Sequence, residues 1–119
     1  MNVTRTITVA WDFDGYHRWP AAEGVRSYLA DRHRHRFHCT VTIPVTHDDR
    51  QVEFHDLLDY CRSLTPDGAG PVELNDASCE RVAEHLATTV ARRFEVSPVT
   101  AAVSEDGYVT GTVTVEQQP

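Results

Sequence analysis

From Val3 to Trp11 apolar and polar positions alternate. Val3, Ile7, Val9 and Trp11 fall on one side, and Thr4, Thr6, Thr8 and Ala10 on the other. That period of two predicts a half-buried strand, which Asp12 to Gly15 would break. After Pro20, Val25 and Leu29 at i and i+4 predict a short helix over Ala21 to Ala30. Alternation returns from His35 to Val45, with Phe37, Cys39, Val41, Ile43 and Val45 on one face and His38, Thr40 and Thr42 on the other. Pro44 marks an edge or the end of pairing. Phe54, Leu57, Leu58, Cys61 and Leu64 then recur at helical spacing, and Pro66, Gly68, Gly70 and Pro71 predict a loop. A second helix starts near Asp76 or Ser78, either of which can cap it, and carries Val82, Leu86, Val90 and Phe94 before Pro98. Val99 to Glu105 and Tyr108 to Val115 flank Asp106-Gly107, a strong hairpin signal. The order ββααββ predicts an α+β fold in a single domain over residues 1–119. Its economical form is a four-stranded antiparallel sheet with both helices on one face. The other face, rich in Thr, is left open, and such a sheet can complete itself by joining further copies.

The strand pattern puts chemistry at one place. His33 and His35 share the parity of Phe37, so both point to the apolar face, whereas His38 points away. Neutral imidazole is the commonest metal ligand, and His17 in Phe13-Asp14-Gly15-Tyr16-His17-Arg18 offers a third. Three His with one open position is the arrangement of a catalytic zinc centre. Charge and composition narrow the partners. A formal net charge of -7 argues against a nucleic-acid face. All 11 basic residues are Arg, so no lysine Schiff base or phosphate-loop lysine is available. Cys39, Cys61 and Cys79 form no Cys-x-x-Cys pair and read as reduced thiols. With no apolar run long enough for a membrane span and no basic-then-apolar N-terminus, the expectation is a cytoplasmic protein that engages no membrane.

Six short motifs, in order, resemble the 6-pyruvoyl-tetrahydropterin synthase and 6-carboxy-tetrahydropterin synthase family, of the tunnelling fold. FDGYHR at 13–18 is similar to the family's F-x-A-x-H-R, and HRH at 33–35 to its H-G-H, with Phe37 at the aromatic position that follows. Val52-Glu53-Phe54-His55-Asp56-Leu57 resembles V-x-D-F-x-D-L, and Leu74-Asn75 the L-N before the second helix. Ser78-Cys79-Glu80 lies where the family has T-x-E, and Val103-Ser104-Glu105 matches V-x-E of the last strands. The resemblance implies one Zn2+ on His17, His33 and His35, and a pterin or related purine-derived substrate such as dihydroneopterin triphosphate. It implies that Glu105 anchors the ring, with Ser78 and Glu80 beside it. It also implies a carbon-oxygen lyase reaction and a homo-hexamer built as a dimer of trimers, with the trimer as fallback.

The departures concern proton transfer. The family's Cys before H-G-H is absent from Tyr28-Leu29-Ala30-Asp31-Arg32, and Leu64 to Leu74 lacks the His of its L-D-H segment. A base must then come from elsewhere. Cys79, near a helix N-terminus where thiolate is favoured, is the first candidate, with His47, His55 and Asp31 behind it. The alternative reading is a catalytically inactive ligand-binding or assembly protein that retains the fold.

Overall fold

Thirteen residues, Arg5–His17, form β1, and thirteen more, His33–Val45, form β2. The computed structural model describes residues 1–66 and 70–117, so the part of the expected loop at Gly68 lies outside it. The two strands pair antiparallel from Arg5↔Val45 to His17↔His33. β1 therefore does not stop at Trp11. Asp12 and Asp14 continue it because the facing strand answers them: Asp12 opposes His38 and Asp14 opposes Arg36. The His38 ring nitrogen Nδ1 lies 2.7 Å from Asp12, and Arg36 donates to Asp14 at 3.0 Å. Opposite charges across a ladder offset the poor strand propensity of Asp. The expected break becomes a polar row, and His17 lies in a strand rather than in a loop.

α1 (Phe54–Leu64) and α2 (Cys79–Phe94) both cover the apolar face. Glu53 caps α1 by accepting from the backbone of His55 and Asp56, and Ser78 caps α2 by accepting from Arg81. Phe13, Phe37, Val41, Ile43, Leu57, Leu86, Val90, Val99 and Val103 are fully or almost fully buried between sheet and helices. Trp11, also buried, donates its indole N–H to Thr65 at 2.6 Å. The opposite face carries Thr pairs, Thr8 with Thr42 and Thr100 with Thr114, each at 2.8 Å.

β4 (Val99–Glu105) pairs with β2, and β5 (Val109–Val115) with β4. The turn between them has positive φ at Asp106 and Gly107 and is closed by Tyr108 N–H donating to Glu105 O at 3.1 Å. Two expectations are corrected. The sheet has five strands, in the order β3-β1-β2-β4-β5, because β3 (Val72–Asn75) adds to β1 in parallel. The sheet is therefore mixed, and the chain between β1 and β3 makes the crossover that parallel pairing needs. The segment after Pro20 forms a six-residue 3-10 helix, Gly24–Leu29, with no buried residue, instead of an α-helix over Ala21 to Ala30. Among the described residues, no helix is long and apolar enough to cross a membrane.

Candidate metal centre

The register of β1 and β2 builds the site. His17 and His33 are direct cross-strand partners, and His35 lies two residues along β2 on the same face, opposite Gly15. Glycine leaves room there: a Cβ at Gly15 would lie 3.0 Å from the Phe37 ring and 3.1 Å from the Phe13 ring, so the two rings would have to give slightly. Phe37 in turn presses its ring against the edges of His17 and His35, with centroids at 5.4 and 5.7 Å. One candidate ligand atom from each of the three histidines lies within 4.8 Å of the others.

Each ring is held by its Nδ1. His17 Nδ1 lies 3.0 Å from the Ala77 carbonyl, at the entry to α2. His33 Nδ1 lies 2.8 Å from the Asp31 carbonyl, and His35 Nδ1 2.6 Å from the Asp106 carboxylate, at the hairpin tip. A carbonyl only accepts, so His17 and His33 donate from Nδ1 and leave Nε2 with a lone pair. Asp106 is held ionised, its pKa lowered by the Arg36 backbone N–H and by His35, so His35 also donates from Nδ1. His35 Nε2 is buried without a hydrogen-bond partner. Burial lowers the pKa of His17. Three rings oriented through Nδ1, with His35 Nε2 buried and without a hydrogen-bond partner, fit a metal ion, and the groups on Nδ1 are the supports such ligands ordinarily have.

The cluster opens into a cavity of about 410 Å³ whose walls include Arg18, Trp19, Ser78, Cys79, Glu80 and Glu105. That volume suits a small organic ligand. His17 and His33 line the cavity themselves, and Glu105 lies beside the rings, with Oε1 3.3 Å from His17 Nε2 and Oε2 3.6 Å from His35 Nε2. The Ser78 hydroxyl is engaged as the α2 cap. Cys79 reverses the sequence-based expectation. Its thiol donates to Glu105 Oε1 at 3.7 Å, and burial together with the Glu105 charge pushes its pKa up to about 12. The helix terminus does not offset that desolvation, so Cys79 is a buried proton donor rather than a resting thiolate.

The other expected bases are elsewhere in this chain. His47 Nδ1 accepts from Asp49 N–H in the turn after β2, and His55 at the start of α1 pairs with Glu53, which raises its pKa. Both border the Arg5–Val45 end of the β1–β2 pair, whereas the cluster sits at the His17–His33 end. Twelve strand steps separate those ends, about 40 Å. Asp31 supports the site through its main-chain carbonyl. Asp106, Arg18 and Trp19 were not legible as site residues. Asp106 reads as turn chemistry, and its place beside Glu105 at a hairpin tip is the only sequence hint to its role.

No protein-family model matches the chain, and no curated protein matches it in sequence. Solved structures do match in shape. A catalytic-residue mutant of the Plasmodium vivax 6-pyruvoyltetrahydropterin synthase superposes with a TM-score of 0.72 at 12% identity, covering 98% of this chain and 100% of that one. The Caenorhabditis elegans 6-pyruvoyl tetrahydropterin synthase gives 0.67 at 15% identity, over 96% and 97% of the two chains. A Vibrio cholerae protein described as a dihydroneopterin aldolase gives 0.59 at 14% identity, over 99% and 100%. The chain has the tunnelling fold of the 6-pyruvoyltetrahydropterin synthases, with a short parallel strand added at one edge of its sheet.

Proposed function

We propose that the protein is a zinc-dependent enzyme acting on a pterin or related purine-derived molecule. The observation that carries this reading is the set of three Nε2 atoms beside a ligand-sized cavity, each ring oriented through Nδ1. The shared fold with 6-pyruvoyltetrahydropterin synthases supports the substrate class. His17, His33 and His35 would hold the ion, which when bound supplies polarisation of substrate hydroxyls or a carbonyl. Glu80 and Glu105 line the cavity with carboxylates that can accept paired N–H bonds from an amidine-like ring edge, and Ser78 fixes the helix start between them. Cys79 begins the reaction with its proton in place and can deliver it to a developing anion; as a base it would first have to lose that proton to Glu105. His47 and His55 can serve the cavity only from a neighbouring copy. That requirement fits a homo-hexamer or trimer in which the cavity lies between subunits. The reaction class proposed is carbon-oxygen bond cleavage of the lyase type.

The buried, protonated Cys79 gives weight to a second reading, a ligand-binding protein that no longer turns substrate over. One experiment separates the two. Elemental analysis of purified protein should give one zinc per chain, reduced in His33→Ala and His35→Ala and unchanged in His38→Ala. The zinc-loaded protein is then screened for binding and turnover across pterins and guanine derivatives. Binding without turnover selects the second reading, and wild type without a first-row metal after growth in zinc sinks the zinc-enzyme reading.

A further inference from the structure

The Glu105 carboxylate faces the Nε2 atoms of two of the clustered histidines. Its Oε1 lies 3.3 Å from His17 Nε2, and its Oε2 lies 3.6 Å from His35 Nε2. Nδ1 of each ring is engaged elsewhere, by Ala77 O and by Asp106. A carboxylate and two imidazole nitrogens brought this close can share one cation. Here the floor is the fully buried Phe37, the direct cross-strand partner of Glu105, whose ring touches both histidines. The carboxylate is also held in place from behind: the Cys79 thiol donates to Oε1, and the closed turn after Glu105 fixes its backbone. His35 is flanked on both sides by consecutive residues of one hairpin, with Asp106 on Nδ1 and Glu105 towards Nε2.

We propose that Glu105 is a fourth protein ligand to the ion held by His17, His33 and His35, closing the metal site while the cavity is empty. This rests on the metal reading above and goes beyond it, because the sequence resemblance gives Glu105 to the substrate ring. Cys79 is then a positioning residue that orients the carboxylate. Glu105 turns to a ring edge only after a ligand oxygen has taken its place at the ion.

The test uses the full-length protein, stripped of metal and titrated with zinc against a chromogenic chelator. Glu105→Gln, which keeps shape and loses charge, should weaken zinc binding by more than about tenfold. In cobalt-loaded protein the same change should shift the visible bands, while His38→Ala leaves both readouts as in wild type. Circular dichroism of the metal-free variants checks folding. Should Glu105→Gln not fold, the cobalt-loaded wild type still decides the matter. With four protein ligands its electron paramagnetic resonance line stays unbroadened in 17O-enriched water, whereas broadening by a bound water overturns the proposal. Equal zinc affinity and equal cobalt spectra in wild type and Glu105→Gln also overturn it and leave the three-histidine metal reading standing. Wild type that takes up neither ion removes that reading, and this proposal with it.

Discussion

At His35 one residue type does two jobs with its two nitrogens, and the chain provides for both. Asp106 holds Nδ1 while Nε2 is kept free in a buried position. The sequence showed half of this. Strand parity alone put His33 and His35 on the apolar face and turned His38 away to meet Asp12, as found. The supports were not legible, because two of them are main-chain carbonyls, at Asp31 and Ala77, which no side-chain pattern encodes. The surroundings of Cys79 were hidden for a related reason. Its place in the chain shows a helix terminus but not its burial or the carboxylate that Glu105 brings from a distant strand. A prediction follows for the thiols. Cys39, Cys61 and Cys79 are all buried, with burial the main cause of pKa values near 12. At pH 8 about one molecule in ten thousand would carry a given thiolate. Folded protein should therefore resist a disulfide reagent such as Ellman's, while protein in guanidinium should release three equivalents. Prompt modification of Cys79 in the folded state would restore the thiolate role.

Among the elements, α2 governs the cavity through one close approach. A Cβ at Gly111 on β5 would meet Glu80 N at 2.9 Å and Glu80 Cγ at 3.0 Å. The start of the helix thus rests directly on the strand backbone, which brings Cys79 and Glu80 into the cavity wall. Gly111→Ala should cost about 1–3 kcal/mol by overpacking. The loss would be seen as a lower midpoint in urea unfolding at unchanged slope. Because main-chain nitrogen is part of the obstacle, Glu80→Ala should not restore stability, and a Gly111→Ala protein as stable as wild type would contradict the packing described. The helices and the four long strands were evident from period and turn chemistry. β3 was not, since four residues between Pro71 and a helix cap give too little alternation to register. The path of β1 through two aspartates was hidden because their partners are 20 to 26 residues away.

For the molecule as a whole, the sheet ends in open edges. β3 covers β1 only at Gly15–His17, and β5 pairs on one side only among the described residues. Unpaired edges invite further strands, and Val25, Tyr28, Tyr108 and Val109 are large apolar residues left exposed. Light scattering at micromolar concentration should give the mass of six chains of 13.4 kDa, or of three, and a monomer would remove the proposed assembly and with it any part for His47 or His55. The pairing of β1 with β2 has one more consequence. Side chains alternate across a strand, so a slip of one residue turns every group to the opposite face. Slipped by one, β2 would present Arg34 and Arg36 to His17 in place of His33 and His35. A one-residue slip would dismantle the proposed zinc site, so under that proposal the uptake of zinc from a buffered pool during refolding would act as a proofreading signal against it.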